Sequence, residues 1–126
     1  MTDFEIEKAN CEIAEFMGFT RQQGDYGFEY RPPNSAFSGV PVHKLAYNTS
    51  WDWLIPVKER IEQLGYSSVI GYNSPKGFYW ASFFQGNEFQ RKEIKSHEGE
   101  TDESEISVLW KLIVKFIKWH NQHKQL

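Results

Sequence analysis

Ile6, Ala9, Ile13, Phe16 and Met17 recur at the three- and four-residue spacing of one helix face, which predicts a first helix over about residues 2–17. Thr2-x-x-Glu5 fits a capping box, in which hydroxyl and carboxylate each satisfy a free backbone N–H, and Gly18 is a natural stop. A second helix is predicted over 50–64. Leu54, Val57, Ile61 and Leu64 form its inward stripe, Asn48, Thr49 and Ser50 are all good caps, and Gly65 ends it. Pro56 falls inside it, where it removes one backbone bond, so a kink or an irregular first turn is expected. A third helix is predicted from Thr101 or Asp102 to about His120. Ile106, Leu109, Trp110, Ile113, Phe116 and Ile117 make its face; Val108, Leu112 and Trp119 widen it, and Lys111, Lys115 and Lys118 stay in water. An apolar arc this wide belongs to a deeply packed helix, or to one that also meets a partner.

Strands fill the rest. Residues 26–30 and 42–47 read as short strands, separated by a Pro-rich loop that reaches Pro41. Residues 66–72, 78–85 and 88–95 read as three more. Gly86-Asn87 looks like a two-residue hairpin turn that sets Phe84 opposite Phe89 and Trp80 opposite Glu93. The middle strand then carries Phe78, Trp80, Ser82 and Phe84 on one face and Tyr79, Ala81 and Phe83 on the other. Both faces are apolar enough to need at least partial cover. The fold class is α+β: one domain over 1–126, with a mainly antiparallel sheet of three to five strands and three helices in an α/β/α sandwich-like arrangement.

Composition narrows the function. Ten Phe, six Tyr and five Trp make 17% of the chain aromatic, which excludes general disorder. The net charge of −3 argues against a general nucleic-acid binder, although bases could stack on Tyr79 or Trp80 beside Arg91 and Lys92. One cysteine, Cys11, excludes an internal disulfide and reads as a buried structural thiol. An acidic start with no apolar run predicts a cytoplasmic chain without a membrane span. The acids of 98–105 and the lysines of 106–126 read as complements to the third helix's dipole.

Three segments carry a family resemblance: Ala14-Glu15-Phe16-Met17-Gly18-Phe19, Ser50-Trp51-Asp52-Trp53-Leu54-Ile55-Pro56-Val57 and Phe116-Ile117-Lys118-Trp119-His120-Asn121. In this order the chain resembles small bacterial and prophage-type proteins of the phage ABA sandwich domain. His120 stands where that family often has Tyr. The resemblance implies an α/β/α layered fold and a mobile-element origin, and no reaction.

Candidate chemistry is sparse. His120 and His123, three apart, could share a helix face, but two ligands make no metal site. No phosphate loop, nucleophile elbow or zincin motif occurs, and no cofactor is expected. Trp51, Asp52 and Trp53, with Trp119, are the candidate binding residues. Asp52 between two indoles could be an acid in an aromatic pocket or a first-turn carboxylate meeting backbone N–H groups. The expected function is that of a non-enzymatic accessory protein binding a protein partner or a second copy. The alternative is a small-ligand module or cryptic enzyme near Trp51-Asp52-Trp53 that borrows the 31–41 loop.

Overall fold

The computed structural model describes residues 1–24, 27–33, 39–86 and 90–123. Helix α1 spans Asp3–Phe16, and its capping box forms as the sequence predicts: Glu5 N–H donates to Thr2 Oγ1, and the Glu5 carboxylate accepts from Thr2 N–H. Gly18 takes φ +88°, the left-handed backbone that ends the helix.

A polar hairpin follows. Strands β1 (Thr20–Gly24) and β2 (Gly27–Arg31) pair antiparallel, and β3 (Val40–Pro41) adds to β2. β1 was invisible in the sequence, since Thr-Arg-Gln-Gln-Gly has no apolar alternation. The strand expected over 42–47 is instead a 3-10 turn at Val42–Lys44. Pro41 supplies a fixed φ for entry to that turn, and Leu45 and Tyr47 turn into the core. Part of the expected 26–30 strand and of the 31–41 loop lies outside the described residues.

Helix α2 (Trp51–Gln63) runs unbroken through Pro56, with no irregular first turn. Pro56 sits on the exposed side, so water can meet the Asp52 carbonyl that loses its donor. Strands β4 (Tyr66–Asn73), β5 (Phe78–Gly86) and β6 (Arg91–Glu98) form a second antiparallel sheet in that order. Helix α3 spans Glu105–His123. It starts later than the acids suggested, because Ser104 is the cap: its Oγ accepts from Ser107 N–H.

The class is α+β; among the described residues there are three α-helices, and the strands divide into two three-stranded sheets. The β5–β6 register is corrected. Phe84 faces Glu93, Trp80 faces Glu98, and a bulge lies at Phe83/Phe84. Gly86 pairs with Arg91, so the connection is longer than two residues; the positions expected opposite Gln85 and Phe84, Glu88 and Phe89, lie outside the described ones.

α2 and α3 lie together on the Ala81–Phe83 face of the second sheet, and α1 packs on α3. The α/β/α expectation thus resolves into a sheet, a helix pair, then α1 with the first sheet beside it. Cover over both faces of β5 was expected, but helices cover only one. Ala81 and Phe83 are buried under helices; Ser82 is buried between Trp80 and Phe84, which stand outside the core. Among the described residues, no helix is long and apolar enough to cross a membrane.

The acidic run does more than complement a dipole. Glu103 accepts from Lys111 Nζ at 2.6 Å, Ser107 Oγ at 2.6 Å and Glu100 N–H at 3.1 Å. Burial alone would raise its pKa, but these donors outweigh it and hold the carboxyl down at about 2. His97, from β6, accepts from Lys115 Nζ at 2.8 Å, and its Nε2 lies 3.8 Å from Glu103. Burial and the Lys115 charge depress its pKa, against the pull of Glu103. Both groups bind protons more weakly folded than unfolded, so the β6–α3 contact contributes fully above about pH 6.5. Acid unfolding should therefore show two losses of stability. The first starts below about pH 6.5 and disappears in His97→Gln; the second runs from about 4.5 to 2 and disappears in Glu103→Gln. Denaturant unfolding at stepped pH checks both, and a flat profile above pH 5 would remove the His97 contribution.

Candidate functional site

The four residues singled out by type do not form one site. Trp51 is 39% exposed at the start of α2, and Asp52 is exposed beside it. Trp53 turns inward and meets buried Tyr47 edge-on, with centroids 5.1 Å apart. Trp119 packs against Tyr66 and Phe116, beyond the C-terminal end of α2. The length of α2 alone, about 20 Å, separates it from Trp51. Nor do the histidines share a ligand. His120 stacks on Phe116, and His123 Nδ1 lies 2.8 Å from the Trp119 carbonyl oxygen.

A site does assemble between α1 and the first sheet. Phe4, Glu7, Lys8, Cys11 and Glu15 make a second stripe on α1, away from the core stripe of Ile6, Ala9 and Ile13. Opposite them, the β1–β2 register pairs Arg21 with Tyr30 and Gln23 with Phe28 on one sheet face. The two surfaces splay apart to leave a cleft of about 390 Å³, which Val42 also lines. Its lips are Phe4, 75% exposed, and Phe28, 50% exposed. The Arg21 guanidinium lies 3.7 Å above the Phe28 ring and props it outward.

The floor is polar but quiet. Tyr30, almost fully buried, has the Cys11 thiol as its neighbour. Burial and that sulfur push the Tyr30 pKa far up. Burial, followed by the Glu15 and Glu7 charges, pushes the Cys11 thiol up against the pull of Tyr30. A thiolate nucleophile is therefore scarce at neutral pH. Cys11, expected as a buried structural thiol, is only half-buried: it packs against the core and also lines the cleft.

This arrangement can seat an apolar group between two phenyl rings, with hydrogen-bonding groups below it and charges of both signs around the rim. That is the architecture of a binding cleft: apolar walls with a few fixed polar groups. Among the described residues, no group of three or more His, Cys, Asp or Glu could hold a metal ion. Sequence reasoning missed Phe4, Arg21, Phe28 and Tyr30. The available signal was Phe4, a large apolar residue off the core stripe of its helix. The chain matches no protein-family model, no curated protein and no solved structure.

Proposed function

We propose that this chain is a non-enzymatic binding module that acts by docking a protein partner, and that the α1–β1–β2 cleft receives an apolar anchor side chain of that partner. The observation that carries this reading is the pair Phe4 and Phe28, two exposed rings on opposite lips of one cleft. Large exposed apolar side chains grouped at a concavity mark interaction sites, whereas scattered ones do not. The raised Cys11 and Tyr30 pKa values favour binding over catalysis, since neither group is poised to give or take a proton near neutrality. In the setting the phage ABA sandwich resemblance suggests, this would be a cytoplasmic accessory protein of a mobile element. A small apolar ligand is the second reading, because the cleft volume falls in the range of about 300–1,000 Å³ typical of small-molecule pockets.

Native mass spectrometry of the protein taken from its own host tests both readings. The wild type should carry an added polypeptide mass, whether a second copy or another chain. The double variant Phe4→Ser/Phe28→Ser should lose it while keeping its unfolding midpoint, since exposed substitutions change stability by less than about 0.5 kcal/mol each. An added small-molecule mass would favour the ligand reading. A bare monomer in both samples would overturn the proposal.

A further inference from the structure

The outer face of the second sheet carries an aromatic surface that the core does not use. The strand registers place Val69 and Gly71 on this face from β4, Phe78, Trp80, Ser82 and Phe84 from β5, and Arg91, Glu93, Ser96 and Glu98 from β6. Val69, Phe78, Trp80 and Phe84 are partly exposed, and none joins the core cluster. Gly71 sits directly across from Trp80, and a Cβ there would collide with indole atoms Cζ2, Cε2 and Nε1. The missing side chain lets the indole lie close over Gly71, and Trp80 stays partly exposed.

A groove of about 400 Å³ opens beside it, walled by Trp80 and Phe84 and edged by Ser82, Glu93, Ser96 and Glu98. Ser82 Oγ donates to Glu93 Oε1 at 2.8 Å. Glu98, the direct cross-strand neighbour of Trp80, forms no ion pair among the described residues. At the other end of the face, the Arg91 guanidinium already lies 5.6 Å over Phe84.

We propose that this face docks a basic segment of a partner protein, one Lys or Arg side chain entering the groove against the exposed part of Trp80 and the carboxylate of Glu98. An open indole face attracts a cation through its ring quadrupole, and a neighbouring carboxylate supplies the counter-charge. The same groove disfavours nucleic acid, because phosphates would approach Glu93 and Glu98. A neutral sugar could stack on the indole but would leave the Glu98 charge unmatched. The surface is separate from the α1 cleft, so either reading can fail alone.

The test is an NMR titration of the isotope-labelled full chain with acetyl-Arg-Gly-Arg-Gly-Arg-amide, followed at the Trp80 indole N–H and the Gly71 amide. Saturable shifts at both are expected. They should weaken at least about threefold in Glu98→Gln and on raising salt, as an ion-paired contact requires. The same peptide with Gln for Arg should shift neither signal. The proposal is overturned by the absence of shifts at Trp80, by equal shifts with the Gln peptide, or by unchanged affinity in Glu98→Gln. Shifts produced only by a cello-oligosaccharide, or only by oligo-dT, would overturn it in favour of a sugar or single-strand platform.

Discussion

Phe116→Ala should lower the unfolding free energy by about 3–5 kcal/mol, the range for a large buried ring cut back to a methyl. Phe116 is 0% exposed, and four rings surround it: Tyr66 at 4.9 Å, Phe83 at 5.1 Å, Trp119 at 5.7 Å and His120 at 5.8 Å between centroids. Those rings belong to β4, β5 and α3 itself, and His120 in turn meets Phe16 of α1 edge-on. No single shift can close the space, because the four rings are spread over three elements. The cost therefore falls at the upper end of the range, and the melting temperature should drop by roughly 10–20 °C for a domain of this size. Thermal unfolding by circular dichroism reads it. A fall of less than about 1 kcal/mol would mean that the aromatic cluster collapses into the space, and that it contributes less than its burial suggests.

The same cluster explains where the aromatic excess of the sequence goes. Ring-bearing side chains on α3, β4 and β5 fill the space between helix and sheet with few residues. Their helical and strand positions were legible because each stripe is set by local periodicity, which needs no knowledge of the partner. The irregular first turn expected at Pro56 is absent for the converse reason. The helix rule assumes that the lost bond is costly, but the position faces water, which can replace the donor. The β5–β6 register failed because Gly86 does take a left-handed φ of +112°, as a tight turn would need, yet its ladder partner is Arg91. A Cβ on Gly86 would run into the Gln90 carbonyl, so the glycine serves a close backbone approach in a longer connection. Turn chemistry identifies such a residue without fixing how many residues follow it.

The candidate cleft was less legible than the fold. Tryptophans drew attention by type, and two of the three in question turn out to seal the core. The cleft depends on β1, a strand held by backbone pairing with both faces polar or exposed, and such a strand leaves no hydrophobic signature. Arg21 and Tyr30 become neighbours only through the register of that strand with β2. Glu103 and Lys111 likewise read only as complements to the helix dipole until β6 was seen to deliver His97 against α3.

Asn10→Ala should cost about 2–4 kcal/mol, although the residue removed is a single polar side chain on a helix of ordinary pattern. Asn10 is 2% exposed, and its amide is fully used. The Nδ2 group donates to the Leu45 carbonyl at 3.1 Å and to Asn48 Oδ1 at 3.0 Å, while Oδ1 accepts from the Trp110 indole N–H at 2.8 Å. One side chain thus ties α1 to the segment between the two sheets and to α3. Truncation leaves the Leu45 carbonyl and the Trp110 N–H buried without partners, at about 1–3 kcal/mol for each such group. Asn10→Asp separates this account from simple loss of volume. Its carboxylate keeps an acceptor for Trp110 but turns oxygen toward two other oxygens, so its folded pKa rises above the unfolded value of about 3.9. The Asp variant should be at its worst near neutrality and regain stability as pH falls and the carboxyl becomes a donor, once the acid loss shared with the parent is subtracted. The Ala deficit should hold constant over the same range. Urea unfolding of both variants and the parent, with exchange at the Trp110 indole N–H, measures this. Parallel profiles for Ala and Asp would show that Asn10 acts through packing, and the polar tie between the helices would then have no energetic role.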